Sequence, residues 1–182
     1  MGKDAHLALM PVLGMPMDET VMRSERNDIL TFLFWGNFAA FSLHVLDETL
    51  MVGGFVAGVQ IHFWPAYTAT KFFTVNASFL ILIAISNLLY DWQGSRLAVI
   101  PMVWVWERSL NGLWHIGWTL FFKEYSPGLV TSGMFFVILY LSYRYGVLKG
   151  RMRQAAFFGG GIIAAFLEVL LLSSLWWVRR IQ

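Results

Sequence analysis

Apolar residues fall in long runs along this chain, separated by short clusters of charge, glycine and proline. The first run goes from Ile29 to about Leu46 and ends in His44-Val45-Leu46-Asp47-Glu48. Phe72 to Tyr90 is the cleanest, interrupted by Asn76 and Asn87 and stopped by Asp91-Trp92-Gln93-Gly94. Leu97 to Phe122, Leu129 to Tyr145 and Ala155 to Val178 follow. Each run approaches the roughly 20 residues a helix needs to cross hydrocarbon. Met51 to Thr70 differs, because Gly53, Gly54, Gly58 and Pro65 break it and it carries Gln60 and His62. Backbone freed by glycine and proline must be satisfied inside protein, so this stretch predicts a re-entrant or interfacial segment. The pattern therefore predicts an all-α integral membrane bundle of four to five transmembrane helices, plus that segment at 51–70. Residues 28–182 form its single domain.

The start reads differently. Residues 1–27 lack a compact apolar run followed by small residues, and Asp18, Glu19 and Glu25 lie within them. They predict an interfacial or water-exposed arm rather than a signal peptide. Lys123-Glu124-Tyr125-Ser126-Pro127-Gly128 predicts a turn, with proline fixing one dihedral and Gly128 permitting a positive one. Gly159-Gly160-Gly161 predicts a close helix approach, and Trp176-Trp177 an interfacial belt.

Composition strengthens the membrane reading: 58% of the 182 residues are hydrophobic and 13% charged, against about 25% charged in soluble domains. A net charge of +2 gives no footprint for nucleic acid. The cations sit in loops instead. With five spans, Lys3, Arg23, Arg26, Arg96, Arg144, Lys149, Arg151 and Arg153 share one side, opposite Lys71, Lys123, Arg179 and Arg180. That bias predicts a cytoplasmic amino terminus, and the inner membrane if the protein is bacterial. The absence of cysteine excludes disulfides, thiolate metal sites and cysteine nucleophiles.

Two polar stripes carry the chemistry. His44, Asp47 and Glu48 stand at i, i+3 and i+4, and project from one side of a helix if it continues that far. Glu107, Asn111 and His115 stand at i, i+4 and i+8 on another. A central charge in a membrane costs roughly 2.5–3.5 kcal/mol on the mildest scale, so the stripes are expected to face each other. Glu168 adds a third acid within an apolar run, a natural partner for Arg108 or the histidines.

Paired imidazoles and carboxylate suit zinc, iron or manganese better than calcium or magnesium. His44, Glu48 and His115 are the expected ligands, Asn111 an orienting group, and Asp47 or Glu107 a proton acceptor. No organic cofactor is indicated. The set predicts a metal-dependent membrane enzyme, hydrolytic or oxidative, acting on a lipid or another apolar molecule. Two alternatives stand beside it: a metal-free acid–base isomerase or cyclase of isoprenoid-like substrates, and a non-enzymatic carrier, metal-binding or accessory subunit.

These residues also resemble a known family. His44-Val45-Leu46-Asp47-Glu48, the later His115 with Asn111 four before it, and Tyr125-Ser126-Pro127-Gly128 are similar to the motifs of the HXXEE membrane proteins. Asp47 stands where that motif has its first glutamate, which keeps the charge and loses one methylene of reach. The resemblance covers roughly residues 35 to 130. It implies a small membrane protein suspected of being an enzyme, and brings no assigned reaction with it.

Overall fold

A computed structural model describes the backbone of residues 19–50 and 54–181, and the side chains of 29–50 and 54–173. Among the described residues the chain is entirely helical. In order stand α1 (Glu19–Leu50), α2 (Gly54–His62), α3 (Ala69–Gln93), α4 (Val99–Phe122), α5 (Leu129–Leu141) and α6 (Gln154–Ile181). A 3₁₀ turn joins α3 to α4, and a π-helical stretch, Ser142–Val147, extends α5.

Three helices are long and apolar enough to cross a membrane: Ile29–Leu50 of α1, Ala69–Leu97 through α3, and Gln154–Ser173 of α6. α4 matches them in length but carries Glu107, Arg108, Asn111 and His115 along it. The nine residues of α2 span about 14 Å at 1.5 Å each, less than half of a hydrocarbon core. The broken stretch at 51–70 is thus a short helix followed by a turn. The arm expected over 1–27 lies outside the described residues up to Asp18, beyond which α1 is already helical from Glu19. The side chains of Trp176 and Trp177 also lie outside the described residues.

Helix direction follows from which residues meet. Asn87 donates to the Phe34 carbonyl and Asp91 accepts from Thr31 and Trp35, so α3 runs antiparallel to α1. Ser109 reaches the Phe135 carbonyl while His115 bonds Ser126, so α5 runs antiparallel to α4. Gly160 lies against Met102 and Val103, whereas Leu172 and Trp114 wall the same cavities, so α6 runs parallel to α4. At Gly160 an added Cβ would come within 3.1 Å of the Val103 backbone nitrogen. The expected close approach at the glycine triplet is there, against α4.

Three apolar clusters stack along the bundle. Leu30, Phe34, Tyr90, Met102 and Phe157 pack at one end, Phe41, Ile83 and Phe135 in the middle, and Val59, Phe72 and Trp118 at the other. The buried histidines lie between the middle and last clusters, with His44 against Phe135 and His115 against Phe55. Much of the outer surface is apolar as well. Phe121 is 81% exposed and Ile162 74%, and faces of that kind suit hydrocarbon better than water.

Candidate metal centre

The site is assembled from two helices and one turn. α1 continues through residues 44–48 without a break, so His44 and Glu48 project one above the other. α4 brings His115 to the same place, and the two imidazole rings meet edge to face with centroids 4.9 Å apart. All three side chains are buried. Glu48 Oε1 lies 3.5 Å from His44 Nε2 and 3.4 Å from His115 Nε2. One ligand atom from each residue falls within 4.8 Å of the other two.

Which nitrogen carries the proton decides what these groups can do. Thr131 Oγ1 donates its single hydrogen to Asp47 Oδ2 at 2.8 Å. At His44 Nδ1, 2.9 Å away, the same oxygen must therefore accept. The Gly128 carbonyl, an acceptor by nature, also meets this ring. His115 Nδ1 lies 2.8 Å from Ser126 Oγ, and the Pro127 carbonyl meets that ring too. With its hydrogen on Nδ1, facing these oxygens, each imidazole presents Nε2 as a lone pair. Neither Nε2 has a hydrogen-bond partner, and nor does Asn111 Oδ1, which is buried beside them.

Four polar groups now converge: two imidazole Nε2 atoms, the Glu48 carboxyl and the Asn111 amide oxygen. Such a cluster away from water is costly unless a cation or a donor sits within it. The separations of 3.4 and 3.5 Å exceed the reach of a direct O–H···N hydrogen bond. They match the edge of a tetrahedron about an ion with bonds of roughly 2.0–2.2 Å, which is about 3.3–3.6 Å. The residues present fit a transition metal.

The turn after α4 closes the site. Lys123 ends the helix in the left-handed region and Gly128 opens α5 with φ +94°. The positive dihedral is the one the proline–glycine pair predicts. A Cβ at Gly128 would lie 2.6 Å from His44 Cε1 and 3.0 Å from both Glu48 Cγ and His115 Cε1. Glycine is therefore required twice here, for its backbone and for the space it leaves the imidazoles. Glu124 in the same turn accepts from Trp118 Nε1 and meets His62 Nε2, each at 2.7 Å. The hydrogen bond from Trp118, then those with His62, hold its carboxyl below the usual range.

The motifs on both sides of this site belong together. A family model described as a protein of unknown function with HXXEE motif matches residues 35–143. The chain belongs to the HXXEE family. Neither the curated proteins nor the solved structures contain a significant match to it. In this HXXEE protein the name-giving histidine and final acid are two of the three converging residues.

Other predicted residues are placed around them. Asp47 points to Thr131, where it accepts from the hydroxyl and from the backbone N–H. Glu107 is clasped by the neighbouring Arg108 through two hydrogen bonds, and lines the adjacent cavity together with Glu48 and Asn111. Arg108 also stacks on Phe41 and Phe79. His62 is not in the cluster; it joins α2 to the turn through Glu124. Sequence reasoning missed Ser126 and Thr131, which orient the two imidazoles, and the packing of Gly128 against them. The turn motif was the available signal, since a histidine four residues before the end of α1's polar stripe needs an acceptor from somewhere.

Proposed function

We propose that this protein is an integral membrane enzyme whose metal ion is held by His44 Nε2, His115 Nε2 and a Glu48 carboxylate oxygen. The observation that carries the reading is the pair of bare Nε2 atoms aimed, with Glu48, at one point. Two nitrogens and one oxygen leave open positions, as in both hydrolytic zinc and oxygen-activating iron centres. A metal so held polarises a carbonyl or acidifies water, or in the case of iron activates oxygen. The chain's own part is orientation and exclusion of water. Thr131 and Ser126 fix the ring tautomers, Gly128 seals one side, and Asn111 offers an acceptor toward the cavity.

That cavity supports an apolar substrate. It has a volume of about 430 Å³ and runs from Glu48 past Phe55, Tyr67, Phe79 and Trp114. Its size and aromatic walls are those of a small-molecule site. The membrane reading gains from the helix directions. α1, α4 and α6 run one way and α3 and α5 the other, as five crossings with a short α2 require. His44 stands six residues before the end of α1, roughly 9 Å of helix. With a cytoplasmic amino terminus, this reading sets the site in the opposite leaflet, within reach of lipid.

Elemental analysis of protein purified without chelators tests the metal. About one equivalent of zinc, iron or manganese is expected, lost on His115→Ala; zinc points to hydrolysis and iron to oxidation. Metal at trace level, with no uptake on adding each ion, removes the reading. Single cysteines at Ser95 and Lys149, labelled from the same side as one at Ser24, support the five-crossing arrangement; opposite labelling ends it.

A further inference from the structure

A second cavity, about 400 Å³, adjoins the first and is lined by Leu110, Leu113, Gly117, Trp118 and Phe121. The two share Phe63, Trp114, Glu168 and Leu172 as walls. Between them stands one aromatic pair, Phe63 and Trp114, with ring centroids 4.9 Å apart. The inner chamber holds the polar groups and the outer one is almost wholly apolar, with Leu113 and Phe121 at its exposed rim.

Size sets the shape of the ligand. At about 30 Å³ per methylene-sized group, each chamber takes roughly a dozen such groups. A short chain fits the inner chamber alone. A long one must pass Phe63 and Trp114 and emerge toward the rim between α4 and α6.

Charge and hydrogen bonding set its head. Glu48, Glu107 and Glu168 line the inner chamber against two cations, both engaged. Arg108 is clasped by Glu107, while Lys71 lies over Trp64 and donates to the Ala66 carbonyl. An anionic head would meet these three carboxylates, with Arg108 already clasped and the exposed Lys71 as the cation left to offset them. A cationic head would be opposed by the metal and by Arg108. Asn111 Oδ1, buried and without a donor, also lines this chamber, and asks for an O–H or N–H.

We infer that the ligand is an uncharged single-chain amphiphile, a long-chain alcohol or amide, whose head donates to Asn111 Oδ1 and whose chain runs past Phe63 and Trp114, the shared wall, into the outer chamber. This rests on the proposed metal site for which end of the molecule reacts and for the exclusion of a cationic head.

The test uses full-length protein in detergent micelles and hexadecanol, hexadecanoic acid and hexadecyltrimethylammonium, each with a diazirine at the chain end. Cross-linked residues are mapped by mass spectrometry. The alcohol is expected to label the outer chamber at Leu113 and Phe121, and to be displaced by unlabelled hexadecanol. Gly117 has open space where a side chain would go and touches none of the metal ligands. Gly117→Trp should fill the outer chamber and cut labelling by the hexadecanol probe roughly tenfold, about 1.4 kcal/mol, leaving an octanol probe unaffected. Labelling by the acid or the ammonium that equals the alcohol's overturns the inference. So does labelling spread over the outer face of α6 at Ile162 and Phe166, or a Gly117→Trp protein that keeps the long probe. Labelling is repeated on protein stripped by chelator. Specific labelling there with no metal in the native protein upholds the ligand and removes the metal, and bound metal with scattered labelling does the reverse.

Discussion

Two buried clusters of acid and base stand on α4 and behave in opposite ways. Glu107 and Arg108 neutralise each other in a bidentate pair, capped by the Phe41 and Phe79 rings. Two turns further on, His115 meets His44 and Glu48, and there nothing is neutralised. Both Nε2 atoms stand 3.4 and 3.5 Å from Glu48 Oε1 without a hydrogen-bond partner. Both clusters are equally hidden, so burial does not separate structure from function here. Completeness does. A pair that satisfies itself holds helices together, and a set whose Nε2 atoms are left without partners is a socket.

The sharpest way to break this contrast is to empty the socket. His115→Ala should abolish stoichiometric metal, beyond the roughly 10–100-fold that loss of an outer partner costs, while thermal unfolding in detergent shifts little once metal is absent from both proteins. If His115→Ala unfolds the protein as badly as a change at Glu107, the two clusters are of one kind. Glu107→Gln should do the converse. It leaves Arg108 as a buried unpaired charge, worth roughly 3–5 kcal/mol, so melting temperature and yield fall while metal per folded molecule stays at its native value. Restored stability in Glu107→Gln/Arg108→Met would show that the loss came from the orphaned charge.

Gly128→Ala joins both properties. The left-handed backbone alone costs roughly 1–2 kcal/mol, and the methyl would lie 2.6 Å from His44 Cε1. Stability and metal should therefore fall together, the metal further; a stable variant with native metal content would mean the turn does not bear on the imidazoles. Thr131→Val keeps the shape and removes the acceptor at His44 Nδ1. Metal affinity should drop by roughly 10–100-fold, with Thr131→Ser largely restoring it and unfolding hardly changed.

The smallest effect belongs to the exposed contact between His62 and Glu124. Its carboxyl is held below the usual range by Trp118 and His62. The stabilisation is thus present above the unfolded carboxyl value, near 4.3, and fades as pH falls through the lowered folded value. His62→Gln should flatten that acid limb when amide exchange of residues 123–128 is followed below pH 4.5. An unchanged limb would show that His62 adds nothing to what Trp118 supplies.

The triad was legible because its cost was. Histidine and acid at i, i+4 in an apolar run have few places to go, and the second stripe at 107, 111 and 115 gave them one. Three long apolar helices were legible for the same reason, and the glycines and proline of 51–70 announced a broken segment. Ser126 and Thr131 were not legible, because hydroxyls in helices and turns most often bond their own backbone, as Ser78 and Ser86 do here. Arg108 beside Glu107 reads in the sequence as one charge compensating another, and the two do pair. Neighbours on a helix point about 100° apart, and only long side chains curling back through a crowded interior bring the two charges together.

His44 and Thr131 are 87 positions apart, and that distance is also an interval of time. At a synthesis rate of about 5–20 residues per second, the ring of His44 waits roughly 4–17 s for the hydroxyl that fixes its tautomer. Throughout that interval α1 is present with an imidazole and a carboxylate and nothing to settle them. The turn at Gly128 arrives three residues before Thr131 and closes the last side. If the proposed metal binds, its loading would be a late event in the life of the chain, after α5 has been made, and a cell short of the ion would accumulate a complete chain rather than a stalled one.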